Sequence, residues 1–385
     1  MASICFVAGD PSGDAHAARL IEALKRRDPT LTFTGLGGPA MQRAGLSLLA
    51  DLTRTAAIGP FDAARHLGRF LRAKRLLDDH LKAARPHLAV LVDFGDFNLP
   101  VVAPLVKRYG IPLLYYISPQ LWAWGRWRLQ WIRRYVDRMV VFFPFEETFY
   151  QRAGIPVTWV GHPLMDAAHP SMSQAEAGER YGVNPWRRTV GLLPGSREGE
   201  IKRHLPLFLA AAERIAWHMP GVHFLLPRAP SIPRALLEMY LAAARCEVRL
   251  VEGSAYDALQ LMEAAIVTSG TATLEAALCE VPMVVVYRAS WPTYLVARLV
   301  IRIPHIALVN VVAGREIVPE FLQHRATPRR IARATMDLLR DDERHAAMQE
   351  RLRELRSRLG PPGAVDRAAH AVLEMLRDRP QSTGP

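Results

Sequence analysis

One pattern constrains this chain more than any other: short runs that are apolar in both alternating registers, each followed by a small-residue loop and then a longer helical period. The runs are "SICFVAG" (Ser3 to Gly9), "LTFTGLGG" (Leu31 to Gly38), "HLAVLVDF" (His87 to Phe94), "IPLLYYIS" (Ile111 to Ser118) and "DRMVVFF" (Asp137 to Phe143). Strands apolar on both faces and alternating with helices are parallel strands covered on both sides, which makes the chain α/β. The pattern restarts at "TVGLLPGSREGEIKRH" (Thr189 to His204) and continues through "VHFLLP", "EVRLVEG", "AAIVTSG" and "PMVVVYR". The expected fold class is therefore α/β with two Rossmann-like, doubly wound domains facing each other across a cleft, ligands binding at the carboxyl ends of the strands.

The length, 385 residues with 50% hydrophobic composition, suits two domains at roughly 100–200 residues each. The stretch from His169 to Arg188 holds prolines, glycines and charges without a strand period and reads as the linker. The expected division is 1–168 for an N-terminal Rossmann-like domain, 169–340 for a C-terminal Rossmann-like domain, and 341–385 for helices packing back toward the N-terminal domain. In the last part, Met348, Leu352, Leu355 and Leu359 recur at helical spacing, and the tail from Arg377 reads as frayed.

Forty-nine Lys and Arg against 37 Asp and Glu give a net charge of +12, which favours anionic partners: phosphorylated ligands, nucleic acid or an acidic membrane face. Cys5, Cys246 and Cys279 are widely spaced, so they read as core thiols in a reducing compartment. No apolar stretch approaches the ~20 residues that span a bilayer, and the N-terminus lacks a signal-peptide pattern. The expected location is cytoplasmic, with any membrane contact peripheral.

Four stretches carry chemistry. "TSGTATLEAAL" (Thr268 to Leu278) places Ser269, Gly270 and Thr271 where a strand hands over to a helix; free amides and the helix dipole there suit a diphosphate, with Glu275 one turn on for a ribose. The competing reading is an ordinary helix cap supplied by Thr268 or Ser269. "LLPGSREGEI" (Leu192 to Ile201) adds Gly195 for a tight turn and the Arg197 guanidinium for phosphate. "AGDPSGDAH" offers Ser12, Gly13 and Asp14 to sugar hydroxyls, or Asp14 as a helix cap. "VLVDFGDFN" (Val90 to Asn98) sets Asp93 and Asp96 at the end of a central strand, where a carboxylate can act as general base on an alcohol, or can cap a helix.

Neither GxxxxGK[ST] nor GxGxxG occurs, which removes support for ATPase and nicotinamide-dinucleotide chemistry. No DxD, HExxH or HxH spacing is found, so no metal and no cofactor is expected. Two further segments are ambiguous. The run Trp122 to Arg134 interleaves four tryptophans with arginines, suiting base stacking, lipid headgroups or a packed helix. The segment Phe61 to His87 puts Leu67, Phe70, Leu71, Leu77 and Leu81 on a broad face with basic residues elsewhere, fitting an anionic membrane surface or a core helix with a basic exterior.

Taken together, "AGDPSGD", "GLGGPAM", "DFGDFNLPV", "YYISPQLWAW", "VGHPLMD", "LLPGSREGEI", "SGTATLEAAL", "PMVVVYR" and "LVNVVAGREIVPEFLQ" run over nearly the whole chain. In this set and order, the sequence closely resembles the lipid-A-disaccharide synthases, inverting glycosyltransferases of the GT-B arrangement from Gram-negative bacteria. The resemblance implies a UDP-linked 2,3-diacylglucosamine donor, 2,3-diacylglucosamine 1-phosphate (lipid X) as acceptor, and a β-1,6-linked disaccharide 1-phosphate and UDP as products of lipid A biosynthesis. By position it implies Asp96 as general base, with Asp93 able to share or supplant it. It implies UDP contacts from Arg197, Ser269, Gly270, Thr271, Glu275, Asn310 and Arg315. Membrane contact through Leu67, Phe70 and Leu71, on the cytoplasmic face of the inner membrane, would follow from acylated substrates; a homodimer stays open. One departure is "AGDPSGD" where the family leads one to expect "AGEASGD", which puts a direct substrate contact by Asp10 in question.

Two other readings stand beside this one. Another GT-B UDP-sugar enzyme, such as a peptidoglycan N-acetylglucosaminyltransferase or a UDP-N-acetylglucosamine epimerase, would share the nucleotide loops but not the acyl chains. A basic nucleic-acid-binding protein would use the Trp/Arg run, yet no recognisable binding module is present, and nucleic acid is not expected as a partner.

Overall fold

The computed structural model describes residues 1–53, 63–123, 125–184, 187–290, 294 and 303–378, with the side chains of 63–67 and 126 outside the description. The chain divides into two compact units, Met1–Pro163 with Pro361–Pro385, and Leu164–Gly360.

The first unit is built on strands β1 (Ser3–Ala8), β2 (Thr32–Gly37), β3 (Ser47–Asp51), β4 (Leu88–Val92), β5 (Leu113–Tyr116), β6 (Arg138–Val141) and β7 (Val157–Trp159). They pair in the order β3-β2-β1-β4-β5-β6-β7, and every pairing is parallel. β4 and β5 are buried along their whole length, as their unbroken apolar runs require for strands covered on both faces. The edge strands β3 and β7 were not apparent in the sequence, because each is only part-buried over most of its length and lacks such a run. The helix Ala364–Arg377 belongs to this unit: it packs on the helix Pro11–Arg27, Arg138 Nη1 lies 2.8 Å from Glu374 Oε2, and Arg367 Nε donates to the Val160 carbonyl at 2.9 Å.

The second unit holds β8 (Thr189–Leu193), β9 (His223–Pro227), β10 (Val248–Val251), β11 (Ala264–Thr268), β12 (Met283–Tyr287) and β13 (Glu320–Leu322), ordered β10-β9-β8-β11-β12-β13 and again all parallel. The helix Glu198–His218 buries Ile201, Leu205, Phe208, Ala212 and Ile215 on one face, the three-and-four spacing that turns a single stripe toward a sheet. In the helix Asp342–Arg358 and the residue after it, Met348, Leu352, Leu355 and Leu359 are all buried, as their spacing predicts.

The chain passes from one unit to the other at Pro163 and Leu164. The Pro- and Gly-bearing stretch from His169 lies inside the second unit and carries a helix of its own, Gln174–Tyr181. That helix starts at a reciprocal Ser173–Glu176 cap and ends on Gly182 at φ 64°, so local capping chemistry supplies what the weak periodicity did not announce. Pro185 and Trp186 of that stretch, and residues 379–385 of the tail, lie outside the described residues.

Both sheets share one consequence. In each, the strand order reverses between the unit's first and fourth strands, β1/β4 in one and β8/β11 in the other. At such a reversal the two flanking loops leave in opposite directions and open a crevice beyond the carboxyl ends of the strands, where doubly wound sheets bind ligands.

Candidate active site

In the first unit the loops at the reversal are those after β1 and β4. Asp10 caps the helix Pro11–Arg27, its Oδ1 accepting from the Gly13 amide at 2.7 Å with Pro11 in the first turn, so the loop hands directly into a helix. Ser12 is exposed on that first turn. Asp14 is 4% exposed, and its two carboxylate oxygens accept from the amides of Gly38, Ala40 and Met41 at 2.9–3.0 Å. It closes the N-terminus of the helix Pro39–Ala44, a partner far along the chain.

After β4 the backbone turns sharply. Asp93 and Phe94 are both left-handed, at φ 43° and 49°, a conformation that costs a non-glycine residue of order 1–3 kcal/mol and persists only where the surroundings hold it. The Asp93 carbonyl accepts from the Tyr115 hydroxyl at 2.5 Å and from Asn98 Nδ2 at 2.8 Å. The Phe94 ring stacks with Phe70 and tilts against Phe97, and it lies over Gly9, where a Cβ would come within 2.1 Å of it.

The two candidate bases separate clearly. Burial, with Asp10 and then Asp96 adding like charge, pushes the Asp93 carboxyl up to about 7, against a smaller opposing hydrogen bond from the Phe94 amide. Asp96 points outward, its side chain 74% exposed, and Arg128 Nη2 lies 2.6 Å from its Oδ1. Glu146, in the first turn of the helix Pro144–Arg152 that follows β6, is a second buried carboxyl pushed up to about 7 by desolvation, and it accepts from the Trp122 indole at 3.2 Å and the Phe143 amide at 3.2 Å. Sequence reading missed it because nothing local marks "PFEETF" as buried. Trp122 thus pins its loop, Trp131 packs against the core, Trp127 is 59% exposed, and Trp124 lies outside the described residues.

In the second unit the reversal loops are those after β8 and β11. Gly195 sits at φ 122° with Glu200 folded against it; Glu200 Oε2 accepts from the amides of Ser196 and Arg197 at 2.9 and 3.2 Å, which fixes the loop. The Arg197 guanidinium, 77% exposed, lies 3.2 Å from Glu200 Oε1. After β11, Gly270 stands at the N-cap of the helix Thr271–Leu278 and no side chain caps it. Thr268 and Ser269, the two expected caps, do other things: Ser269 Oγ donates to the Ile306 carbonyl at 3.0 Å, and the buried Thr268 hydroxyl has no hydrogen-bond partner among the described residues. Space around Gly270 is open, so the first helical amides face room for an acceptor. Glu275 accepts from the Tyr256 hydroxyl at 3.1 Å, and burial raises its carboxyl.

A family model described as lipid-A-disaccharide synthetase matches residues 4–375. The chain belongs to that family. It is accordingly a glycosyltransferase of lipid A biosynthesis. Among similar proteins, the lipid-A-disaccharide synthase of Geobacter metallireducens is 44% identical over 97% of both chains, and that of Anaeromyxobacter sp. (strain K) is 45% identical over 97% of both. Solved structures share the fold at much lower identity. A putative UDP-N-acetylglucosamine 2-epimerase from Listeria monocytogenes gives a TM-score of 0.67 at 14% identity, over 98% of this chain and 97% of that one. An S. aureus MnaA–UDP co-structure gives 0.65 at 12%, over 100% of both. That likeness bears on the fold alone: two Rossmann-like α/β units, the fold class the sequence implied.

The remaining residues implied by the family resemblance fall differently. Asn310 is fully buried and completely used: Nδ2 donates to Val318 O and Glu320 Oε1, and Oδ1 accepts from the amides of Ile317 and Val318, all at 2.8–3.0 Å. It braces the 317–320 turn. Arg315 is exposed and paired with Glu354 at 2.9 Å.

On the helix Ala63–Ala84, Phe70 packs toward the core with Ala73, Leu77 and Leu81, so the expected lipid-facing stripe is largely the buried face. Leu71 and Leu76 instead project outward, 50% and 39% exposed, among the exposed Arg69, Arg72, Lys74 and Arg75. Phe61 and the Leu67 side chain lie outside the described residues. Among the described residues no helix is long and apolar enough to cross a membrane, and no group of three or more His, Cys, Asp and Glu side chains is arranged to hold a metal ion.

Proposed function

We propose that the chain transfers the 2,3-diacylglucosaminyl group of its UDP-linked donor to the 6-hydroxyl of 2,3-diacylglucosamine 1-phosphate. Asp93 takes the hydroxyl proton as the oxygen attacks the anomeric carbon; the new C–O bond forms as the bond to the UDP diphosphate breaks, with inversion to the β-1,6 linkage. The observation that carries this assignment is the Asp93 carboxyl itself, held near 7 by burial at the strand-order reversal of the first unit. A base of that strength is half deprotonated at neutral pH and still avid for a proton. Asp96, committed to Arg128 and turned to solvent, supports the loop.

For the donor, we propose that the uncapped amides at Gly270–Thr271 and the Ser269 backbone receive the diphosphate, that Arg197 swings from Glu200 to neutralise charge developing on the leaving UDP, and that Glu275 contacts the ribose. Arg197 needs little reorganisation, since its present partner is a solvent-exposed ion pair of small worth. Ser12 and the Gly13 turn remain the acceptor-side proposal. Peripheral contact with the cytoplasmic face of the inner membrane would use Leu71 and Leu76 with the arginines and lysine around them, an apolar anchor within a basic field.

Incubating the purified chain with UDP-2,3-diacylglucosamine and 2,3-diacylglucosamine 1-phosphate tests the proposal. Disaccharide 1-phosphate and UDP should appear in equal amounts; UDP release without disaccharide, or no reaction, would reject it.

A further inference from the structure

We propose that Tyr115 and Asn98 are positioning residues for the transfer, clamping the Asp93 carbonyl so that the left-handed turn after β4 presents the Asp93 carboxyl to the acceptor. The inference rests on Asp93 being the proton acceptor. Its evidence is geometric. Two consecutive non-glycine residues, Asp93 and Phe94, hold positive φ, and an ordinary β-to-helix exit would place the following side chain elsewhere. The carbonyl between them accepts two hydrogen bonds from side chains that are themselves completely buried: the Tyr115 hydroxyl at 2.5 Å and Asn98 Nδ2 at 2.8 Å.

Both partners are held in place by the surrounding interior. Tyr115 sits at the third position of β5, paired in register with Leu91, so its ring rises from the neighbouring strand beneath the turn. Desolvation holds its hydroxyl protonated well above the ordinary range, and it can only donate to the carbonyl. Asn98 reaches back five residues to the same oxygen and also toward the Val92 carbonyl at 3.3 Å, while its Oδ1 is buried without a partner. A buried amide oxygen left unsatisfied is a cost, and here it accompanies a side chain held in place by what its nitrogen does. The Phe94 ring over Gly9 locks the turn from the other side.

The charged groups facing Asp93 are Asp10 from the loop after β1 and Asp96 one turn on, with the Phe94 amide opposing them. Releasing the clamp would let the carboxyl move away from this surround into water, lowering its proton affinity as well as displacing it.

The test compares Tyr115→Phe, Asn98→Ala and Asp93→Asn singly, and Tyr115→Phe with Asp93→Asn together, in steady-state transfer from UDP-2,3-diacylglucosamine. Tyr115→Phe should lower kcat at least about tenfold, leave KM for both substrates within about twofold, and move the ascending limb of the pH–rate profile to lower pH. Asn98→Ala should act in the same direction. In the Asp93→Asn background Tyr115→Phe should cost nothing further, because a positioning residue has no effect once the group it positions is gone. Tyr109→Phe, which removes a hydroxyl bonded to Asp78 at the edge of the same core, should leave rate and profile unchanged and controls for loss of packing. A normal rate and pH profile in Tyr115→Phe, with Asp93→Asn inactive, would overturn the clamp alone. An equal loss in both backgrounds would do the same. An active Asp93→Asn would instead remove Asp93 as proton acceptor, and the clamp with it.

Discussion

The guanidinium of Arg128 and the carboxylate of Asp96 stand 2.6 Å apart, and the two side chains are 13% and 74% exposed. Three residues earlier, Asp93 faces two other carboxylates and keeps a raised proton affinity. One short loop therefore carries two aspartates in different environments.

If Asp96 supports the loop and does not take the proton, Asp96→Asn should lower kcat by less than about tenfold, since the Asp93 carboxyl stays in place and the Asp96 side chain faces solvent. Steady-state kinetics beside Asp93→Asn would check this, and the loss in Asp93→Asn should be far larger.

Arg197→Ala should raise the Kd for UDP about tenfold or more, the scale of a charge-assisted hydrogen bond to phosphate. Isothermal titration calorimetry reads it directly. Asn310→Ser, by contrast, should weaken UDP binding only as far as it loosens the 317–320 turn, because its side chain is already fully bonded inside the fold.

Asp14→Ala should destabilise the chain by about 3 kcal/mol, because three amides, two of them buried, lose one ionised acceptor. Denaturant unfolding would show a lower midpoint, whereas KM for the acceptor in the folded fraction should stay within about twofold. A large KM effect at unchanged stability would return Asp14 to the sugar.

Leu71→Glu combined with Leu76→Glu should reduce association with vesicles containing phosphatidylglycerol about fivefold or more at unchanged melting temperature, since both leucines are largely outside the core. Flotation with anionic and neutral vesicles separates the apolar from the basic contribution.

Much of this was legible in the sequence, and the reasons for the remainder are physical. Both-face apolar runs identify central parallel strands such as β4 and β5, and the restart at Thr189 announces the second sheet. Edge strands β3, β7 and β13 leave weaker traces, being short and only part-buried. The loops proposed for the nucleotide stand out by small residues next to Arg197 and Glu275. The actual roles of Asp14 and Asn310 depend on where Gly38 and Val318 arrive in space. A helical period cannot by itself tell Phe70 from Leu71, adjacent residues that the fold sends to opposite sides. Least legible was the difference between Asp93 and Asp96: both are aspartates at a strand end, and left-handed φ values together with a distant tyrosine separate them.

The pH dependence of transfer by the wild-type chain and by Asp93→Asn tests the central claim most directly. With its carboxyl near 7, Asp93 is protonated and idle at low pH, so wild-type kcat should climb through about pH 7 to a plateau. Asp93→Asn should lose that limb and about 100- to 10,000-fold of the rate, with UDP affinity within about twofold of wild type. The linked stability runs the other way. A carboxyl raised from 3.8 to about 7 in the folded chain favours folding fully only below its unfolded value, and that contribution is lost as pH rises through 7. Asp93→Asn should therefore melt higher than wild type at pH 8, with the difference vanishing toward pH 4. A variant that keeps the wild-type rate and its ascending limb would contradict the account.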